Sequence, residues 1–347
     1  MQDKESQKNA LLHLGITKTG SSFLQACSYL NKDLLSHHGI DYPNLGVRQA
    51  YFDNAAKGLV SGGNGATLTQ LLIENRQSDV VELLAQASAH LEEENGLSKT
   101  LISNEGFCNN IFAHPSRLDN LCAALHESGY DTISCLLFVR NPFEHMTSWY
   151  LEGLKGTGWA ANCSIEEYAD SYSDMPVIRN AIENCKAAGM SLTCHNYSAC
   201  SRDLLNVFLK WLGIGIPDTT LITPPALVNR SLDYVEQELC RALAKAKVKP
   251  AVFASPLLNR DSTTKAKKAT PYIDKEALTR FESKNQDDLA YINQFLDPNE
   301  QLLFNRDYFP EKPNNGPLET SSEQIAAIAN IFANILERHT TDKSWKI

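Results

Sequence analysis

The chain has no long hydrophobic run. None of its 347 residues lies in an apolar stretch approaching the roughly 18 needed to cross a bilayer. The opening MQDKESQKNA has no apolar core of a signal peptide. No transmembrane segment is expected, and the expected location is the cytoplasm. Positive charge is not in excess: the net charge of −9 argues against general nucleic-acid binding. Nine cysteines are present, but none forms C-x-x-C, and an odd count without a leader argues against a disulfide framework. They read as small buried apolar residues. Spacing of the metal-ligand type is missing as well, so no metal is expected. Internal repeats, low-complexity tracts and convincing linkers are also missing, which favours a single domain over residues 1–347 with helical embellishments after the core.

What is present alternates. ALLHLG is a short apolar run ended by glycine, as in a buried parallel strand. Phe23, Cys27, Leu30 and Leu34 then follow at helical spacing. Residues 44–66 are rich in Gly and Asn and read as a long loop, with SGGNG as flexible connection. Val80, Leu84, Ala87 and Leu91 mark a helix, TLIS a short strand, and TISCLLFVR the best candidate for a central strand. Asn141 and Pro142 fit an N-cap and first helical position. PVIRNAIENCKAAG, SLTCHNYS and RDLLNVFLKWLG read as helix, strand and helix. Strands alternating with helices give an α/β fold, a parallel sheet flanked by helices. Ser231 is placed to cap a helix reaching about Lys247, residues 274–296 continue in a helical pattern, and SSEQIAAIANIFANILERH closes the chain as an amphipathic helix. Between Arg241 and Lys268 eight basic residues stand against one acid, Asp261. They read either as a solvated helix face and loop or as a rim that attracts anions.

The chemistry concentrates in LLHLGITKTGSS. Gly15 and Gly20 have the G-x-x-x-x-G spacing of a phosphate loop, between a strand and a helix. Such a turn aims backbone N–H groups and the positive helix end at one point. Thr19, Gly20, Ser21 and Ser22 are candidate anion ligands. Where a Walker loop has lysine this chain has Ser21, and its lysine comes earlier, as Lys18. No aspartate closes a convincing second Walker strand, because TISCLLFVR ends in Arg140. Metal-assisted nucleoside triphosphate chemistry is therefore disfavoured against a short phosphoanhydride held without metal.

HLGITKTGSSFLQ resembles the 5′-phosphosulfate loop of sulfotransferases that use 3′-phosphoadenosine 5′-phosphosulfate (PAPS), in the bacterial carbohydrate-type pattern. RNPFEHMTSWY resembles that family's 3′-phosphate motif, with Arg140 and Ser148 at its usual spacing of eight. NRSLDYVEQEL and ESKNQDDLAYINQFL resemble C-terminal stretches of the bacterial enzymes more loosely. The resemblance covers about residues 10–297, leaving 298–347 as an extension. Ser21 and Ser22 stand where the family often has threonines, and they keep the hydroxyl donor.

The resemblance implies a P-loop-type fold and in-line transfer of a sulfuryl group from PAPS to an acceptor hydroxyl or amine, leaving adenosine 3′,5′-bisphosphate. Lys18 would then stabilise charge on the bridging oxygen. Glu105, in LISNEGF just beyond a strand, is the first candidate for general base, and SNE resembles the family's SSE. His13, on the first strand, is the second candidate. His114, His145 and His195 stand lower, Trp149 and Tyr150 read as helix packing or, for one of them, as lining of the acceptor pocket, and Arg117 is a candidate for reaching an anionic acceptor. The acceptor is a small molecule, a saccharide or a lipid-linked glycan. Two other readings remain open: a P-loop kinase of a nucleotide or small alcohol, and a nucleotide-binding protein without turnover. The oligomeric state is left open.

Overall fold

A computed structural model describes residues 7–57, 62–94, 96–215, 221–224, 232–247, 250 and 269–312, with Ile325, Ile328, Ala329, Phe332 and Ala333 near the C-terminus. The elements open with β1 (Asn9–Leu14), α1 (Ser21–Leu30), α2 (Lys32–His37), β2 (Ile40–Asp41), α3 (Gln49–Ala56), α4 (Ala66–Ile73) and α5 (Gln77–Glu93). Next come β3 (Lys99–Asn104), a π-helical turn at Cys108–Phe112, α6 (Pro115–Glu127), β4 (Thr132–Val139) and α7 (Pro142–Lys155). The remainder is α8 (Ile165–Ser171), α9 (Asp174–Ala187), β5 (Ser191–Asn196), α10 (Tyr197–Cys200), α11 (Leu204–Trp211), α12 (Tyr234–Lys245) and α13 (Lys275–Asn293).

The five strands form one parallel sheet in the order β2-β3-β1-β4-β5. Helices cover it, so the fold is α/β as expected. Parallel strands buried on both faces show no polar alternation, and β1 is enclosed from Ala10 to Leu14. It holds the middle of the sheet, with Leu11 opposite Leu101 of β3 and Ser134 of β4. TISCLLFVR, expected to be central, is interior but one place off centre, between β1 and β5. On one face Leu11, Leu101, Leu136 and Phe138 join Leu24 of α1 and Phe208 of α11 in a single apolar cluster.

Chain contacts divide the molecule into two compact units. The first holds Met1–His145, Ser173–Val228 and Glu282–Asn305, and with them the whole sheet. The second holds Met146–Tyr172, Asn229–Phe281 and Arg306–Ile347. Helices α7 and α13 each run continuously from one unit into the other. Within the second unit, Tyr150 donates to the Cys163 carbonyl at 3.0 Å and accepts from Arg241 at 2.9 Å. Its α12 starts with a capping box of Asp233 and Glu236, whereas the expected cap, Ser231, lies outside the described residues. So do Lys249 and residues 251–268 of the basic stretch, and nearly all of the expected C-terminal helix.

Three expectations are corrected. The stripe read as one helix over Phe23 to Leu34 is two helices, broken at Asn31, whose side-chain amide donates to the Cys27 carbonyl at 2.7 Å. Residues 44–66 are not one loop either, because α3 lies within them. Nor is SGGNG a flexible connection where it is described. Asn64 is fully buried, donates to the Leu101 and Pro43 carbonyls at 2.9 and 3.1 Å, and accepts from the Ser103 amide at 2.8 Å. All nine cysteines are free, and seven of them are buried.

Candidate functional site

After Leu14 the chain leaves the sheet, turns through residues 15–20 and enters α1 at Ser21. Close approach dictates Gly15. A Cβ there would stand 2.6 Å from both the Asn104 carbonyl oxygen and the Glu105 Cα, and its amide donates to that carbonyl at 2.9 Å. Gly20 has φ +82° and would drive a side chain into Leu204 and Tyr197. Lys18 is left-handed as well, at φ 67°, which for a residue with a Cβ costs on the order of 1–2 kcal/mol.

Three consecutive carbonyls of this turn are held by side chains. Ile16 O accepts from the Thr19 hydroxyl at 2.7 Å and the Ser21 hydroxyl at 3.2 Å. Thr17 O accepts from His145 Nε2 at 3.0 Å, and Lys18 O from Arg140 Nη1 at 2.9 Å. In a trans peptide the C=O and the following N–H point in opposite directions. Carbonyls 16, 17 and 18 turned toward these partners therefore direct amides 17, 18 and 19 the other way. Amides so turned beside a helix N-terminus are of the kind that can receive phosphate or sulfate groups.

The expected ligands are not equivalent. Thr19 and Ser21 are buried, and their hydroxyl hydrogens serve Ile16 O. Ser22 is half-buried and donates to Glu105 Oε1 at 2.8 Å. Glu105 follows the last residue of β3, and Asn104 just before it is fixed through both ends of its side chain, to Gly62 O at 2.6 Å and from the Gly106 amide at 2.7 Å. The structure thus brings Glu105 to the first turn of α1, beside the loop.

Arg140 leaves the end of β4. Besides Lys18 O, its guanidinium lies over the Tyr197 ring at 5.3 Å and has Glu144 Oε2 3.5 Å from Nε. Glu144 also accepts from the Ser198 hydroxyl at 3.1 Å, and that hydroxyl takes the Asn141 amide at 3.2 Å. Tyr197, Glu144 and Ser198 were not singled out in the sequence. The available signal was position, since Tyr197 and Ser198 directly follow β5 on the sheet edge where β1 and β4 end. Ser148 is half-buried and belongs to the second unit.

The histidines separate clearly. His13 is fully buried, its Nδ1 2.8 Å from Ser103 Oγ, its ring edge-on to Phe138 and Phe208. Burial lowers its pKa to about 4. His145 is also buried, and its pKa is likewise lowered to about 4, chiefly by burial. The Thr17 carbonyl opposes that shift, while Arg140 and Lys18 add to it. His195 pairs with Glu300 at 2.9 Å, and His114 is exposed where α6 begins. Arg117 donates to the Asn110 carbonyl at 2.8 Å, closing the π-helical turn. Among the described residues no group of three or more His, Cys, Asp or Glu is placed to hold a metal ion, and no helix is long and apolar enough to cross a membrane.

No family model matches the chain, and no curated protein does. Two of the solved structures similar to it are sulfotransferase domains. That of the Synechococcus PCC 7002 olefin synthase is 13% identical, with a TM-score of 0.33 over 81% of this chain and 96% of that one. That of the curacin biosynthetic pathway is 12% identical, with a TM-score of 0.37 over 80% of this chain and 98% of its own. At such TM-scores the likeness carries no argument, and the functional reading rests on the residues of the loop and its partners.

Proposed function

We propose that the protein is a sulfotransferase that moves the sulfuryl group of PAPS to a hydroxyl or amine of a small-molecule, saccharide or lipid-linked glycan acceptor. The observation that carries this reading is the loop itself. Its carbonyls are drawn inward by Arg140, His145, Thr19 and Ser21, and its amides are turned outward beside a lysine and a helix N-terminus. That arrangement suits the 5′-phosphosulfate of the donor. Arg140 has donors beyond the one given to Lys18 O, and with the Tyr197 ring against its guanidinium it suits the 3′-phosphate. Ser148 is retained as a second 3′-phosphate ligand on its spacing from Arg140 alone.

In the proposed reaction the acceptor's oxygen or nitrogen attacks sulfur in line. The bond between sulfur and the bridging 5′-phosphate oxygen breaks, and the electron pair leaves on adenosine 3′,5′-bisphosphate. Lys18 stabilises the charge that gathers on the bridging oxygen. Glu105 takes the acceptor's proton. A base has to touch the acceptor, and the enclosed ring of His13 favours a structural role for it, so Glu105 is preferred. The Ser22 hydroxyl, donated to Glu105 in this structure, joins the donor's ligands once the donor's oxygens lie beside it.

Thermal shift separates the readings. A sulfotransferase is stabilised by adenosine 3′,5′-bisphosphate without magnesium, whereas a P-loop kinase responds to magnesium ATP. A non-catalytic binder shows the first shift but transfers no label from sulfur-labelled PAPS to any acceptor in a screen. Absence of stabilisation by adenosine 3′,5′-bisphosphate overturns the proposal.

A further inference from the structure

The proposed chemistry gives His145 no part, yet this residue is enclosed directly behind the loop and both its ring nitrogens face polar atoms. Nε2 is 3.0 Å from the Thr17 carbonyl oxygen, and Nδ1 is 3.5 Å from Asp174 Oδ2 at the start of α9. A carbonyl only accepts, so Nε2 carries the hydrogen and Nδ1 presents its lone pair in the neutral ring. Asp174 is partly buried, and burial raises its pKa.

We propose that His145 is a positioning residue. By fixing the Thr17 carbonyl it aims the Lys18 amide, which shares that peptide plane, toward the proposed anion site and holds the Lys18 backbone in its left-handed conformation. Three things favour this over simple space-filling. The ring reaches the loop from the first turn of α7, five residues beyond Arg140, so one short segment supplies the partners of two successive loop carbonyls. Lys18 stands at φ 67°, a conformation that persists only where its surroundings hold it. And the ring is held neutral by its enclosure, so it directs a hydrogen without placing a third full charge beside Lys18 and Arg140. The identity of the ligand rests on the nucleotide reading; the orientation of the loop does not.

The test compares His145→Leu, which fills similar space without a donor, with His145→Gln, whose amide nitrogen reaches about as far as Nε2. Amide hydrogen exchange of peptides covering residues 15–22 reports on the loop alone. Calorimetric titration with adenosine 3′,5′-bisphosphate, and with inorganic pyrophosphate, reports on the anion site. His145→Leu should speed exchange in the loop and weaken binding roughly tenfold, the effect of losing one well-placed hydrogen bond. His145→Gln should stay within about threefold of the wild type in both. If His145→Leu does not fold, His145→Asn replaces it, since its amide stops short of Thr17 O and should give the same loss. Wild-type exchange in the leucine variant, or equal losses with leucine and glutamine, overturns the proposal. Binding of pyrophosphate without adenosine 3′,5′-bisphosphate removes the nucleotide reading but leaves the clasp testable, and if neither binds, the exchange rates decide.

Discussion

Lys18 combines a positive charge with a left-handed backbone, and the two have separable consequences. Its proposed contribution peaks as charge develops on the bridging oxygen. Lys18→Ala should therefore lower the turnover number more than it lowers affinity for the product nucleotide, as shown by steady-state rates beside calorimetric titration. Equal losses would make the lysine an ordinary phosphate clamp. Glu105→Gln keeps the size and the partner of Ser22 but takes up no proton. It should fold, bind nucleotide normally and lose about 10² to 10⁴ in rate; near-wild-type turnover with a known acceptor would sink the assignment. His13 makes a prediction about stability instead. Its pKa is about 4 in the folded chain against an ordinary 6.5. The unfolded ring therefore takes up a proton first as pH falls, and stability is lost from about pH 6.5 downward, levelling off below about 4. Between pH 7 and 5 the loss is on the order of 2 kcal/mol. His145 adds a loss in the same window. Urea unfolding at both pH values should show a shallower pH dependence for His13→Gln, and an unchanged one would refute the burial argument.

At the scale of elements, what was legible followed periodicity, and what was missed depended on contacts distant in sequence. The runs LLHL, TLIS and TISCLLFV are strands because burial on two faces requires continuous apolar residues, and that is visible locally. The placement of the glycine turn and of Glu105 was legible for a related reason: they follow strand ends, and a parallel sheet gathers those ends on one edge. The two-residue β2 is too short to show a period. The stretch 44–66 was misread because Gly and Asn usually mark loops, whereas here Asn64 is clamped between the Pro43 carbonyl and β3. Nothing nearby in sequence reveals that its partners are Leu101 and Ser103. The contact of His145 with the loop is hidden for the same reason, its partner Thr17 lying 128 residues away. Asn64→Ala leaves the Ser103 amide and two carbonyls without their partner in a dry interior. It should cost about 2–4 kcal/mol by chemical denaturation, far more than a substitution in a solvated loop. A change within about 0.5 kcal/mol would return the segment to the flexible connection the sequence suggested.

For the whole molecule, the single domain expected from sequence meets a chain whose contacts fall into two compact units. The units are not strung one after the other. The chain passes between them repeatedly, and two of those passages lie inside continuous helices, at His145–Met146 in α7 and Phe281–Glu282 in α13. Helix formation is cooperative, and a helix of one or two turns is marginal by itself. Melting one unit would strip α7 to the short piece from Pro142 to His145, which carries both the clasp on Thr17 and the Glu144 beside Arg140. Because the chain passes between the units inside two helices, it should unfold in a single calorimetric transition whose van't Hoff and calorimetric enthalpies agree. Adenosine 3′,5′-bisphosphate at a hundred times its dissociation constant should move that whole transition upward, by the temperature equivalent of about 2.7 kcal/mol. Two resolved transitions, with only the one from the sheet-bearing unit responding to nucleotide, would show that the units fold independently, and the single-domain reading would then be lost.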